Sequence, residues 1–170
     1  MLVLGIDPGS TVTGYGLVEF HQNRYRHVAS GCIRTRSEEP IAIRLARIHA
    51  GLGDVLDEHK PEAVAIEAIF RHKSSESALR LGQARGVALL AAGQRGFSPH
   101  EYNPMTVKAS VGAHGRADKT AVARMVTVLL GLRIEGPADV SDALAIAITH
   151  CVHSRTSALR NPIAALRRTP

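Results

Sequence analysis

The sequence predicts an α/β fold in which a mixed β-sheet, with three antiparallel strands followed by parallel strands, is flanked by helices. Three short β-type segments separated by polar turns open the chain, and helical and β-type segments alternate after them. The length of 170 residues, 45% of them hydrophobic, suffices for one domain with a substantial core. We expect residues 1–153 to form that domain and residues 154–170 to form a basic, flexible tail.

The opening segments have the pattern of a three-stranded meander. The apolar run from Leu2 to Ile6 is typical of a strand buried on both faces, and a Pro-Gly pair ends it. Two further strands are predicted over residues 13–20 and 25–33, after short polar turns. Turns of this length favour antiparallel pairing of neighbouring strands.

Helical and β-type segments alternate through the rest of the chain. Apolar residues recur at spacings of three and four from Ile41 to Leu56, which predicts an amphipathic helix. The later elements are predicted from apolar runs, capping residues and Gly or Pro breaks. In order, the elements are a helix opened by Pro40 and ended by Lys60-Pro61, a strand over 63–66, a helix over 74–95, a strand over 97–102, a short helix over 104–111, a helix over 119–130, and a helix from about Asp139 to about His153.

Composition excludes several classes of protein. No apolar run approaches the length of a membrane helix, and the N-terminus lacks the basic stretch of a secretory signal. Cys32 and Cys151 are the only cysteines, which indicates reduced thiols in a cytoplasmic protein. The formal net charge of +6 and the pI near 9.9 favour a polyanionic partner.

Four carboxylates stand at positions where a site could form. Asp7 and Glu67 each end a buried-type strand, and ligand sites in α/β sheets gather outside strand ends. Asp139 and Asp142 are three residues apart and project from one face of the first turn of the last helix. Taken singly, Asp7 could instead accept backbone hydrogen bonds in its turn, and Asp139 could be a helix N-cap.

Four converging acids require neutralisation, because their like charges repel one another. An all-carboxylate site suits Mg²⁺ or Mn²⁺ rather than zinc, and two divalent ions would balance four charges. Two ions about 4 Å apart can stabilise the attacking and leaving oxygens of a phosphodiester. On a basic domain, this chemistry predicts hydrolysis of a nucleic acid.

Four sequence motifs resemble the RuvC family of bacterial Holliday junction resolvases. They are GIDPG with Asp7, AIEAIF with Glu67, LRLGQARGV at residues 79–87, and PADVSDALAIAITH with Asp139 and Asp142. The resemblance extends from Met1 to about His150, with the motifs in the same order and at matching spacing.

The resemblance implies a ribonuclease H-like fold and an Mg²⁺-dependent endodeoxyribonuclease, with Mn²⁺ as a possible substitute. A homodimer would make symmetric paired nicks in four-way junctions during recombination and repair, leaving 5′-phosphate and 3′-hydroxyl ends. The family's catalytic and metal-binding tetrad corresponds to Asp7, Glu67, Asp139 and Asp142, and its functional lysines to Lys108 and Lys119. A branch-migration motor, RuvA and RuvB, is implied as a partner.

Basic and aromatic residues between these motifs are candidate DNA contacts. Phe70 lies in a polar, basic stretch and could stack on an unpaired base, or else pack into the core under a loop. Arg71, Lys73 and Arg116 could bind phosphates beside Lys108 and Lys119, although any of them could be a solvated surface charge. No role is assigned to His114. His150, Cys151 and His153 could form a metal site, but no further ligand is evident.

The long helix carries a stripe of small residues, Ala78, Gly82 and Gly86, spaced four apart on one face. Glycine inside a helix costs about 1 kcal/mol relative to alanine, so the stripe suggests close approach of another backbone. That backbone could belong to a second copy of the chain or to the protein's own sheet.

Three other functions match part of the sequence. An ATPase of the actin and sugar-kinase type would need a second large subdomain, which 170 residues cannot supply. A non-catalytic junction-binding protein would need basic residues but not four convergent acids. A related ribonuclease H-like nuclease that processes RNA is the remaining alternative to the junction resolvase.

Overall fold

The computed structural model describes residues 1–68, 75–112, 119–134 and 136–160, with residues 119 and 157–160 described by their backbone only. No helix within these ranges is both long enough and apolar enough to cross a bilayer. The elements in chain order are β1 (Leu2–Asp7), β2 (Val12–His21), β3 (Arg24–Arg34), α1 (Ile41–His59), β4 (Ala63–Glu67), α2 (Ser75–Gly93), β5 (His100–Tyr102), α3 (Pro104–Ser110), α4 (Lys119–Leu130) and α5 (Ala138–Arg160).

The five strands form one mixed sheet in the order β3-β2-β1-β4-β5. β1, β2 and β3 pair antiparallel, whereas β1 pairs parallel with β4, and β4 parallel with β5. The predicted meander and the predicted mixed sheet are therefore confirmed. Because β1 and β4 run in the same direction side by side, their C-terminal ends lie at the same edge of the sheet.

The sheet separates two hydrophobic cores, as expected when successive side chains of a strand point to opposite faces. Leu4 and Ile6 of β1 face α1 and α2, where they pack with Leu52 and Ala88. Val3 faces the other side, in the core formed with α3, α4 and α5. Central strands covered on both faces explain the continuous apolar runs of β1 and β4.

Two elements differ from their predicted bounds by more than two residues at one end. β5 has three residues instead of six, because the Phe97 N–H donates to the Ala92 carbonyl at 3.1 Å and so caps α2, and Pro99 has no N–H to donate. α5 continues to Arg160, beyond the predicted end at His153. Arg155 binds the Asn23 side chain in the β2–β3 turn at 2.5 Å, which holds this last part of the helix against the sheet.

Candidate active site

Asp7 and Glu67 stand side by side at one edge of the sheet. Each is the last residue of its strand, and the residues before them, Ile6 and Ile66, are paired in the parallel β1–β4 ladder. Both side chains are partly buried. The prediction that the two strand-end acids lie together is consistent with this register.

The N-terminus of α5 reaches the same edge because glycines remove the side chains that would block it. A Cβ at Gly14, the β2 partner of Asp7, would lie 2.1 Å from the Asp139 carbonyl oxygen. A Cβ at Gly5 would lie 2.1 Å from the Ala143 carbonyl oxygen. The backbone of α5 thus lies directly on β1 and β2, which brings Asp139 and Asp142 to the strand ends.

Asp7, Glu67 and Asp142 line one cavity of about 350 Å³, together with Lys108 of α3. The rest of its wall is largely apolar, with Leu81, Val107, Val122 and Ile146. Asp139 is not among the lining residues, although its charge acts on Asp7. The structure therefore brings together the four acids proposed from sequence and one of the two proposed lysines.

Burial, followed by the negative charges of Glu67, Asp142 and Asp139, raises the pKa of Asp7 from 3.8 to about 8. Asp7 and Glu67 also share a hydrogen bond. A carboxyl group in this state retains its proton at neutral pH unless a cation offsets its charge. Burial and the three neighbouring negative charges thus both oppose ionisation of Asp7 in the absence of a cation.

The structural alternatives for Asp7 and Asp139 are not realised. Asp7 accepts no backbone hydrogen bond in the described part of the chain, and such bonds would lower its pKa rather than raise it. Asp139 lies inside the first turn of α5, after Ala138, and is not its N-cap. Neither acid has the structural role that would explain it without a ligand.

Lys108 owes its place to the local folding of α3. Asn103 caps this helix by accepting the Thr106 N–H at 2.8 Å, and Pro104 occupies the first turn. Lys108 follows one turn later and lines the cavity beside the acids. The side chain of Lys119, and Phe70, Arg71, Lys73, His114 and Arg116, lie outside the described residues.

Arg85 of α2 is a residue that the sequence argument did not single out, although it lies within LRLGQARGV. Its Nη2 pairs with the Glu101 carboxylate at 2.5 Å, and its Nε donates to the Glu67 carbonyl at 3.4 Å. It therefore links α2 to the end of β4 and to β5. Its partners are distant in the sequence, so no local pattern identifies it.

His150 makes structural contacts at both ring nitrogens. Hydrogen bonds join its Nδ1 to the Tyr102 hydroxyl at 2.9 Å and its Nε2 to the Ser154 hydroxyl at 3.0 Å. Burial, with the neighbouring His100 and His153, lowers the pKa of His150 to about 4. Burial likewise raises the pKa of the Cys151 thiol to about 12. Both groups are therefore neutral at pH 7.

Comparison with known proteins identifies relatives over most of the chain. The profile of the family described as crossover junction endodeoxyribonuclease RuvC matches residues 3–150. Crossover junction endodeoxyribonuclease RuvC of Pelotomaculum thermopropionicum is 47% identical over 154 residues, covering 90% of this chain and 94% of the relative. The protein of the same name from Chromohalobacter salexigens is 48% identical over 149 residues, which cover 88% of this chain and 80% of that relative.

A solved structure agrees with these relatives. RuvC of Thermus thermophilus, in complex with a Holliday junction substrate, superimposes with a TM-score of 0.86 at 40% identity, covering 92% of this chain and 96% of that one. The yeast mitochondrial Holliday junction resolvase Ydc2 has a TM-score of 0.67 at 15% identity, covering 96% and 85%, and this shows a shared fold. The resemblance seen in the motifs and the predicted fold class are confirmed.

Proposed function

The chain belongs to the RuvC family and is a crossover junction endodeoxyribonuclease, and we propose that it cuts four-way DNA junctions with Mg²⁺ held by Asp7, Glu67, Asp139 and Asp142. The observation that carries the proposal is that Asp7, Glu67 and Asp142 line one cavity, with Asp139 close enough for its charge to act on Asp7. A structural neighbour bound to a Holliday junction supports the choice of substrate.

The donor set fits hard divalent cations. Carboxylate oxygens are preferred ligands of Mg²⁺, which Mn²⁺ can replace, and two such ions would balance four carboxylates. Among the described residues, no three His, Cys, Asp or Glu side chains are already arranged around a common metal position. The fit therefore rests on charge and chemistry. When bound, the ions would activate the attacking water and stabilise the leaving oxygen.

The protein's own residues would position the reacting strand. Lys108, within the wall of the cavity, would offset the negative charge that develops on the scissile phosphate, and Lys119 would add a second positive charge. Phe70 would stack on a base exposed at the crossover. Arg71, Lys73 and Arg116 would bind neighbouring phosphates. These groups have no catalytic use without the carboxylate centre.

We assign the outer face of α2 to a homodimer contact. Leu79 and Leu90 are 63% and 53% exposed there, and a Cβ at Gly86 or Gly93 would meet nothing within 4 Å. At Gly86 the stripe thus faces away from the chain's own sheet, which favours a second copy of the chain over that sheet as the backbone that approaches it. A two-fold dimer would present two sites to opposite strands of a junction, giving symmetric nicks in strands of like polarity.

The dimer assignment makes a prediction for Gly86→Leu. The leucine has space within its own chain and improves helix propensity by up to about 1 kcal/mol, so the monomer should not melt earlier. It should nevertheless separate the two helices of the dimer. We expect sedimentation equilibrium to show monomers, and paired nicks on a cruciform to become single nicks.

Ala46→Leu, which adds a leucine to the exposed face of α1, serves as the matched control and should remain dimeric. Unchanged dimerisation of Gly86→Leu would place the contact elsewhere.

In the cell, the enzyme would act in recombination and repair in the cytoplasm, with the branch-migration motor RuvA and RuvB supplying junctions.

The function is tested directly with a synthetic four-way junction and a linear duplex of matched sequence. We expect nicks only in the junction, only with Mg²⁺ and not with EDTA, at symmetric positions and with 5′-phosphate and 3′-hydroxyl ends. Equal cutting of the duplex would contradict junction resolution. Preferential cutting of an RNA strand would instead favour the RNA-processing alternative.

A further inference from the structure

A buried arginine donates hydrogen bonds to the turn between β1 and β2. Arg44 of α1 is only 3% exposed. Its Nη2 and Nε both donate to the Ser10 carbonyl, at 2.7 and 3.1 Å, and Nη2 also approaches the Ser10 and Thr11 hydroxyls. The Thr35 hydroxyl donates to the same carbonyl at 2.6 Å. Three donors thus converge on one backbone oxygen.

The positive charge of Arg44 is not neutralised by a bound acid. No carboxylate of the described residues lies within 4.0 Å of its guanidinium. The charge of Arg44 contributes to lowering the pKa of Glu38, but the Glu38 side chain is exposed and accepts a hydrogen bond from the Ser37 hydroxyl. A buried charge normally requires a partner. All the partners of this one are neutral oxygens of the turn and of Thr35.

The peptide between Ser10 and Thr11 transmits this charge to the surface. Its carbonyl accepts two bonds from a cation and one from a hydroxyl, and hydrogen bonds at one end of an amide strengthen its donor at the other end. The peptide is trans, so its N–H points away from the carbonyl and therefore away from Arg44. Thr11 is exposed, and its N–H has no acceptor in the described part of the chain.

The location suits the backbone of a DNA strand. Thr11 follows Asp7 by four residues, so its amide lies within about 14 Å of the catalytic edge. Exposed Arg34 and Arg36 flank the turn, since Thr35 donates its own N–H to the Thr11 carbonyl at 2.9 Å. None of these residues lines the carboxylate cavity.

We propose that the Thr11 N–H, polarised by Arg44 and Thr35 through the Ser10 carbonyl, binds one phosphate of the junction strand that enters the active site. The proposal rests on the junction-cutting function proposed above. It assigns Arg44 as a positioning residue that never touches the DNA, and Thr11 as a sequence-independent contact that sets the register of the strand.

The test uses junctions in which single phosphates near the cut are replaced by neutral methylphosphonates, with binding measured in EDTA. For wild-type protein, one replacement should weaken binding about tenfold, as expected for one hydrogen bond to a charged group. Thr35→Ser keeps the hydroxyl, so the methylphosphonate should still weaken binding about tenfold. In Thr35→Val the same replacement should weaken binding less. In Arg44→Met the replacement at that phosphate should no longer weaken binding, whereas replacements at other phosphates should act as they do in the wild type.

If Arg44→Met fails to fold, an ester in place of the Ser10–Thr11 amide removes the N–H itself and should abolish the same penalty. Equal penalties in wild-type, Thr35→Val and ester proteins would overturn the assignment. Wild-type protein that binds duplex as tightly as junction would contradict the proposed function. In that event, the same methylphosphonate comparison on duplex still decides whether Thr11 binds phosphate.

Discussion

Replacing Asp7 by asparagine is expected to lower the rate of junction cleavage by about three orders of magnitude while leaving junction binding intact. The substitution preserves side-chain size but removes a negative oxygen from the centre of the proposed metal site. Binding should persist, because the basic residues proposed to contact the phosphates are unchanged. Single-turnover cleavage and gel-shift titration of the same junction separate the two quantities.

The same variant has a thermodynamic signature that does not depend on activity. In metal-free wild-type protein the pKa of Asp7 is about 8 against an ordinary 3.8, so the folded state holds a proton that the unfolded state releases between these values. Stability should therefore fall as pH rises from about 4 to about 8. Asp7→Asn removes this loss and should melt above the wild type at pH 8.

Adding Mg²⁺ should raise the melting temperature of the wild type much more than that of Asp7→Asn, because bound cations stabilise the folded state. Asp54→Asn, at an exposed position of α1, is the control and should respond as the wild type does. Near-normal cleavage by Asp7→Asn, or an equal Mg²⁺ effect on both proteins, would remove Asp7 from the metal site.

Gly14→Ala is expected to cause a large structural loss from a single methyl group. The new Cβ would lie 2.1 Å from the Asp139 carbonyl oxygen and 2.6 Å from its carbonyl carbon. These are backbone atoms, so the start of α5 must move as a unit. Overpacking of this kind costs about 1–3 kcal/mol of unfolding free energy. Cleavage per folded molecule should fall by about a hundredfold, because a shift of about 1 Å misplaces Asp139 and Asp142.

Gly86→Ala is the matched control for stability, since its Cβ meets no atom within 4 Å of its own chain. It should be as stable as wild type or more so, because alanine favours the helix. Ala46→Leu, on the exposed face of α1 and outside the assigned dimer contact, is the control for cleavage. Chemical denaturation measures the first effect, and cleavage normalised to folded protein measures the second. Gly14→Ala with wild-type stability and cleavage would mean that α5 does not depend on this close approach.

Local patterns in the sequence are sufficient to predict most of the elements and the position of the acids. Asp7 and Glu67 could be predicted because an apolar run that ends in a carboxylate is visible within a few residues. The role of Gly14 could not, since it depends on Asp139, which lies far along the chain. Arg44 was missed for the same reason, because its partners belong to a turn 33 and 34 residues earlier.

The ends of two elements show a second limit. Phe97 looks like the start of a strand, yet its N–H is used to cap α2. The polar residues after His153 are typical of a flexible tail, yet the Arg155 guanidinium donates a hydrogen bond to the Asn23 side chain. In both cases a long-range or capping hydrogen bond decides a boundary that hydrophobic periodicity alone leaves undetermined.

The placement of α5 on the sheet has a consequence for the timing of activity during synthesis. Two of the four acids, Asp139 and Asp142, emerge from the ribosome 132 or more residues after Asp7. At about 5–20 residues per second, the nascent chain exists for several seconds with β1 complete and half of its acids unmade. Such a chain has the basic residues to contact DNA but lacks the carboxylates to cut it. On the proposed assignment of the four acids, hydrolytic capacity would arise only when α5 has been made and has docked on the sheet.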